Sequence, residues 1–523
     1  VIFVGSAGSS FGQTPEVRGT WLTTTGLAAG NLSSPAVTAQ TYQRLRTIGL
    51  NTTYVDVWRN GATYFPSNTL ARITGRTLAS EVGTRDLYGE TVIQAHRQGM
   101  ANVAWFQYGL AAKFGNPGTS STELAKYAAD RGWLLQDSAG AFTNSSNGFA
   151  WMNPIVPEVR RLLIDMTIEA IDKYDLDGVQ LDDRLAWPTQ FGYDNTTRAA
   201  YLAETGNQVP TNSSNAAFTA WRAAKVTAFA QEFYNEVKAR RPSIIVSVSP
   251  SVWSFSYANY AADWPTWAAQ GLFDEFIPQV YRSTFNNFAT TWNTQVNQIG
   301  TRRGDLVAGI AINTTGTTYD IVRQSIDRVR QTSGVAGHSI WFSEGIFANE
   351  ASFDGYYPDN VERPDLPTGW RPLPTVATSL GGGQWSLNVP ATGRYRLIAR
   401  SGDVWTQIWS DVLAAGTFNL PLAGYSSVEL LVDRRGWRVG DANFDGKVDL
   451  FDYFALSQNF NLSGRRFSQG DFNLDGVVNS LDFELLVTSF DDPQLRSSVS
   501  IPEPTAFFAI AAIGLVGLRR NRN

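Results

Sequence analysis

The chain has 523 residues, 43 % apolar and 17 % charged, which allows roughly two to four packed domains and excludes a disordered polymer. A formal net charge of -5 argues against a nucleic-acid binder, which needs a basic stripe to neutralise phosphates. With no cysteine and only His96 and His338, disulfide scaffolds, thiolate zinc sites, cysteine nucleophiles and multi-histidine metal sites are excluded.

In chain order, residues 1–13 come first. They open on Val1 with a short run of apolar and small residues, and we expect the remnant of a secretory signal peptide. From 14 to 357 strand-like and helix-like segments alternate. The β-rich runs fall at 17–22, 52–58, 101–107, 176–182, 244–249, 273–281, 306–312 and 339–343. Helical patterns fall between them at 36–48, 86–98, 157–174, 218–240, 264–270, 285–299 and 319–331. In 157–174, Val159, Leu162, Leu163, Met166 and Ala170 recur at the spacing of one buried helix face, and Pro157 suits the first turn. Eight such units with right-handed crossovers predict an α/β chain built on a (β/α)8 TIM barrel. No glycine-rich phosphate loop follows the first strand, which disfavours an open doubly wound sheet. Long loops are expected at 113–123 and 194–215.

Barrel chemistry sits at the C-terminal ends of the strands. In the fourth run, period-two alternation sets Gln180 and Asp182 against Val179 and Leu181, with Asp183 at the tip. The second run places Asp56 and Trp58 on one face, followed by Arg59. The third gives Trp105 and Gln107, then Tyr108. The sixth gives Gln279 and Tyr281, and the eighth ends at Glu344. Asn153 precedes the third helix. Carboxylates, amides and aromatics thus converge on one rim. Two carboxyl groups across a cleft are what glycosidic cleavage needs, one as proton donor and the other as nucleophile or base. The catalytic candidates are Asp182, Asp183, Asp56 and Glu344. The substrate-binding candidates are Trp58, Arg59, Trp105, Gln107, Tyr108, Asn153, Gln180, Gln279 and Tyr281. A strand-end Asp also caps turns or binds hard cations, so each has a purely structural alternative.

The stretches 17–22 (VRGTWL), 103–106 (VAWF), 151–154 (WMNP) with 157–160 (PEVR), 177–183 (DGVQLDD), 278–281 (PQVY) and 341–343 (WFS) resemble the glycosyl hydrolase-like 10 family, formerly DUF187. The resemblance covers about residues 14–350. It implies a TIM barrel acting on glycosidic bonds, with bacterial cell-wall glycan as one substrate type, and puts Asp182 and Asp183 on the family's acidic pair. Two segments depart from the pattern. Residues 56–61 (DVWRNG) match the second-strand Gln-Val-Arg motif only in part, and 342–345 read Phe-Ser-Glu-Gly where the family has Phe-Ser-Tyr-Glu.

Residues 363–437 change character, with prolines at 364, 367, 372 and 374 and alternating strands after Gly381. They predict a small all-β, sandwich-like module in which Trp385 and Trp405 serve either a core or a carbohydrate. In 438–492 two loops start 30 residues apart. The first presents Asp441, Asn443, Asp445, Lys447, Asp449 and Asp452 at positions 1, 3, 5, 7, 9 and 12. The second presents Asp471, Asn473, Asp475, Val477, Asn479 and Asp482. Gly446 and Gly476 stand at position 6. That spacing of hard oxygen donors predicts two Ca2+ sites, and no cofactor is expected for catalysis. The tandem resembles a type I dockerin domain, a helical calcium module, and implies a cohesin-like partner. Positions 10 and 11 are Leu450-Phe451 and Ser480-Leu481 rather than hydroxyl pairs.

Residues 500–523 carry Pro502-Glu503-Pro504, an apolar run over 505–518 and Arg519, Arg520 and Arg522. They resemble a PEP-CTERM sorting signal, which implies an apolar sorting helix, transient inner-membrane engagement and a sorting protease. The sequence therefore predicts an exported glycoside hydrolase, extracellular or on the cell surface, acting on a polysaccharide. A non-catalytic glycan-binding surface protein and a glycan lyase stay open beside it.

Overall fold

The computed structural model describes residues 15–494 apart from 314–315, 358, 365–368 and 374–376. The expected leader remnant and the sorting tail lie outside the described residues. The chain divides into two compact units, residues 1–368 without 241–243, and 369 onward with 241–243.

The first unit is built on β1 (Val17–Leu22), β2 (Thr52–Asp56), β3 (Ala101–Phe106), β4 (Gly178–Asp182), β5 (Ile245–Ser249), β6 (Glu275–Phe276), β7 (Val307–Ala311) and β8 (Gly337–Trp341). They form one parallel sheet in the order β6-β5-β4-β3-β2-β1-β8-β7. Parallel bridges Phe276–Leu306 and Gln279–Gly309 join its two edges into a barrel. Around it run α1 (Pro35–Ile48), α2 (Leu87–Arg97), α3 (Pro157–Lys173), α4 (Ala216–Arg240), α5 (Trp264–Ala269), α6 (Phe285–Gln298) and α7 (Tyr319–Arg330). All five apolar positions of the α3 stripe are buried.

Strand alternation divides the core in two. Val55, Ala104, Val179, Leu181, Val246 and Val248 face the helices. Val17, Trp21, Tyr54, Val103, Trp105, Ile277 and Val307 fill the barrel. A Cβ on Gly19 would lie 2.8 Å from Ser339 Oγ and 2.9 Å from the Tyr54 ring, so only glycine lets that ring lie across the interior. A polar ladder threads the same space. Trp21 Nε1 donates to Gln180 Oε1 at 2.8 Å, and Gln180 Nε2 to Ser247 Oγ at 2.9 Å. Ser247 Oγ and Tyr54 Oη both donate to Glu275 Oε1 at 2.8 Å. Arg363 enters from the N-terminal end of the barrel, pairing with Glu275 Oε2 and donating to Thr52 Oγ1 at 3.2 Å.

The first unit departs from the sequence reading most clearly at the sixth strand and at the two expected long loops. The sixth strand is two residues long, not nine, because Phe273 takes a left-handed φ of 58° and Pro278 has no N–H to give a ladder. The expected loop 194–215 contains a helix, Asn195–Thr205. Asp194 caps it by accepting from Thr197 N at 2.9 Å, and Tyr201 packs its ring on Phe218 and Trp221. The expected loop at 113–123 begins inside a hairpin of Ala111–Phe114 with Phe149–Trp151.

In the second unit, β9 (Trp370–Leu373), β12 (Gly393–Ser401), β13 (Val404–Leu413) and β15 (Ser427–Asp433) form one antiparallel sheet. The strands β10 (Ala377–Gly381), β11 (Gln384–Val389) and β14 (Gly416–Pro421) form a second. Leu387, Val389, Leu397, Ala399 and Leu430 close a core between them. Trp405 is buried and Trp385 packs partly buried against that core. Two helices follow, α8 (Leu450–Asn459) and α9 (Ser480–Ser489). Val412 of β13 sits in the core of this helical part. Asp411 accepts from Ser468 N at 3.0 Å and Ser468 Oγ at 2.6 Å, and Arg394 lies 4.2 Å over the Phe444 ring. The stretches 369–437 and 438–492, distinct in sequence character, therefore pack as one body. Among the described residues no helix is long and apolar enough to cross a membrane.

Candidate active site

Asp182 ends β4 and points inward, as its alternation with Leu181 requires. It is 2 % exposed. Its Oδ1 accepts from Arg184 N at 2.9 Å and its Oδ2 from Arg184 Nη1 at 3.0 Å. Asp183, with a side chain 29 % exposed, places Oδ1 3.2 Å from the same Nη1. One guanidinium nitrogen thus bridges both carboxylates, 3.0 Å from an oxygen of Asp182 and 3.2 Å from one of Asp183. Burial, then the charge of Asp183, pushes the Asp182 carboxyl well above the usual range, against the opposing pull of Arg184.

Arg184 is fixed from several sides. Nη1 donates to the Gln107 carbonyl at 3.2 Å, and the guanidinium lies over Tyr108 at 5.4 Å and Phe149 at 4.7 Å. Its own carbonyl accepts from Leu110 N at 3.0 Å. The turn that makes this approach possible needs Gly109, at φ 42°, because a Cβ there would lie 2.8 Å from the Arg184 oxygen.

Asp56 ends β2 and is fully buried. Thr24 Oγ1 donates to its Oδ2 at 2.5 Å, while Oδ1 has no protein partner. Burial raises its carboxyl to about 7, opposed by the Thr24 bond and by Arg59 and Arg184. Its charge also bears on Asp182. Trp105 Nε1 and, just past β3, Gln107 Oε1 are likewise buried without a protein hydrogen-bond partner. Tyr281 is half-buried, stacks near Trp341 at 6.3 Å, and its phenol is raised by burial and by Asp183 and Asp182. Gln279 is half-buried and donates from Nε2 to Ser249 O at 3.1 Å. Arg59 faces a cavity of about 380 Å³ with Tyr64, Lys113 and Glu123.

Other candidates are placed elsewhere. Trp58 is buried in the helix-facing core, because β2 ends at Asp56 and the chain turns outward into a small hairpin of Trp58–Arg59 with Ala62–Thr63. Gln180 lies inside the barrel with both ends of its amide bonded, below the mouth. Trp105 is part of the interior cluster rather than an open stacking platform. Asn153 is fully buried and donates to Asp194 and Thr197, holding the helix cap. Glu344 opens the short helix Ser343–Phe347 and accepts from Ser343 Oγ at 2.8 Å. No described hydrogen bond links it to the acidic pair. Both histidines stand at the N-terminal end of the barrel, His96 bonded to Asp177 and His338 to Tyr357, away from the mouth.

Sequence reasoning missed Arg184, Thr24 and Tyr260. Thr24 and Arg184 lie just past strand ends, so the strand-end rule reaches them. Tyr260 comes from the loop after β5 and carries no local signal. Its phenol is raised by burial and then by Asp183.

The two loops of the second unit match bond for bond. Asp452 Oδ1 accepts from Ala442 N and Asn443 N, and Asp482 Oδ1 from Phe472 N and Asn473 N. Asp441 accepts from Asp445 N and Gly446 N, and Asp471 from Asp475 N and Gly476 N. Asp449 and Asn479 cap α8 and α9, each closing a capping box with position 12. Burial first, then carboxylate neighbours among the causes that follow, raises Asp441 to about 6 and Asp452 to about 7. No three acidic or histidine side chains converge as a preformed cation site among the described residues. The loops nevertheless fit a hard cation in donor chemistry, since Asn side chains and the backbone carbonyls of Lys447 and Val477 complete such a set.

A family model described as glycosyl hydrolase-like 10 matches residues 16–325, and a dockerin type I domain model matches 439–490. The chain is 24 % identical over 348 residues to glycosyl hydrolase DigH of Escherichia coli, spanning 57 % of this chain and 74 % of that protein. The PgaB (BpsB) glycoside hydrolase domain from Bordetella bronchiseptica shares the fold, with a TM-score of 0.50 and 12 % identity over 66 % of this chain and 99 % of that one. With a barrel in place and the family model matching more than half of its length, the chain belongs to the glycosyl hydrolase-like 10 family.

Proposed function

We propose that the chain is an exported glycoside hydrolase in which Asp182 is the general acid and Asp183 the second carboxylate. The observation that carries this reading is a buried carboxyl with raised proton affinity beside a more exposed one at the mouth of the barrel. Asp182 donates its proton to the glycosidic oxygen as the bond to the anomeric carbon breaks. Asp183 attacks that carbon or takes a proton from the incoming water. The half-buried Tyr281 and Gln107 bind and orient the sugar. Bacterial cell-wall glycan, the substrate type associated with the family, is the first polysaccharide to test.

For the second unit we propose calcium as the ion of both loops. Asp441, Asn443, Asp445, Asp449, Asp452 and the Lys447 carbonyl would hold one ion. Asp471, Asn473, Asp475, Asn479, Asp482 and the Val477 carbonyl would hold the other. The match to a dockerin model supports an extracellular setting and a cohesin-like partner. Processing of the tail by a sorting protease is part of the same proposal.

The hydrolase reading is tested on a broad glycan panel that includes cell-wall strands. Asp182→Asn should lower kcat by about 100- to 10,000-fold. Unchanged hydrolysis would sink the assignment. Unsaturated products would mark a lyase, and binding without turnover by the wild type would mark a glycan-binding protein.

A further inference from the structure

Two large aromatic side chains stand exposed on the loops beside the acidic pair, Phe114 at 62 % and Phe255 at 49 %. Phe114 belongs to the hairpin after β3, and Phe255 to the segment after β5, so they flank β4 and its two aspartates on either side. Neither stands alone. Phe114 packs on Phe149 at 5.1 Å, Phe149 on Trp151 at 6.1 Å, Trp151 on Tyr260 at 6.4 Å, and Tyr260 on Phe255 at 5.9 Å. The run passes the reacting groups, because Phe149 carries the Arg184 guanidinium at 4.7 Å and Tyr260 shares the field of Asp183.

Single exposed apolar residues are ordinary, but two at opposite ends of one continuous aromatic run are not scatter. A phenyl face in water has no hydrogen-bond partner. The flat C–H face of a sugar ring covers it, while its hydroxyls stay solvated. The two rings stand at opposite ends of a run of four ring contacts, on segments that follow the two strands beside β4, which is more room than one monosaccharide fills.

We propose that Phe114 and Phe255 are stacking subsites for an extended glycan chain lying across Asp182 and Asp183, with cleavage at internal linkages. The cleavage part rests on the hydrolase reading above, whereas the binding part rests on the aromatic run itself.

Binding of cell-wall glycan strands and of chito-oligosaccharides of graded length, measured by calorimetry on the Asp182→Asn protein, separates the two. Adding Phe114→Ala or Phe255→Ala should weaken binding of long chains by about three- to tenfold each, and Phe→Tyr at either position should restore it. Disaccharides should be indifferent to both changes. Wild-type digestion should shorten strands from within. Undiminished affinity of both alanine variants overturns the proposal, as does a failure of every glycan to bind, or a wild-type product made only of terminal sugars. Strand binding that depends on both phenylalanines, with no turnover by the wild type, would remove the hydrolase reading and leave the subsites standing.

Discussion

Arg184 touches both members of the acidic pair through one nitrogen, and its cation works against the burial that raises Asp182. Arg184→Met should therefore move the alkaline limb of the pH–rate profile upward and lower kcat by about ten- to hundredfold, with Arg184→Lys in between. A profile that stays in place would show that the guanidinium is only packing. Asp56 gives a stability prediction of definite sign. Its folded carboxyl stands at about 7 against an ordinary 3.8, so the protonated form favours the fold. That contribution is complete below about pH 4 and is lost as pH rises through about 7. Asp56→Asn should flatten this, so its melting temperature should gain on the wild type between about pH 5 and pH 8. A constant difference across that range in calorimetry would refute it. The inward position of Asp182 at the end of β4 was legible in sequence because strand alternation is short-range information. The role of Arg184 was not, because a charge after two acids normally reads as solvated, and the rings that hold it come from β3 and its hairpin.

At the scale of elements, the loop after β3 and the loop after β4 meet where Leu110 N reaches the Arg184 carbonyl, and Gly109 is the residue that permits it. Gly109→Ala would need a left-handed φ and would push on backbone, a cost of about 1–3 kcal/mol. We expect kcat to fall about tenfold or more, because Arg184 shifts against both aspartates, while KM for short glycans changes little. Wild-type kinetics in this variant would show that the loop contact does not position the site. The same scale explains what local patterns reveal. Periodic apolar positions placed the barrel strands and α3 because burial on one face is written directly into residue spacing. The sixth strand was over-read because the β-formers Phe273, Phe276, Ile277, Val280 and Tyr281 outweighed Pro278, and because the left-handed turn at Phe273 is not visible in residue types. The helix Asn195–Thr205 was under-read because its threonines and asparagine look like loop, whereas its cap on Asp194 and the aromatic contacts of Tyr201 are tertiary. Trp58 shows the limit of period two, which holds only while the strand lasts.

At the scale of the whole molecule, the loops and the β-sheets of the second unit share Val412, the Asp411–Ser468 bonds and the Arg394–Phe444 contact. Ligand binding stabilises whatever folds with the site. Chelation of calcium should therefore lower the unfolding temperature of β9 to β15 together with α8 and α9, as one transition, and leave the barrel transition in place. Two separate transitions within the second unit, with only the helical one responding to chelator, would refute the shared body. Arg363 has a different consequence. It supplies the cation for Glu275 deep in the barrel, yet it lies 22 residues beyond the end of β8 at Trp341. A chain synthesised from its N-terminus completes all eight strands before that cation exists. The interior thus stays electrostatically incomplete through most of translation and is sealed from behind by the last segment of the unit to be made. A boundary drawn at the eighth strand would cut away the seal.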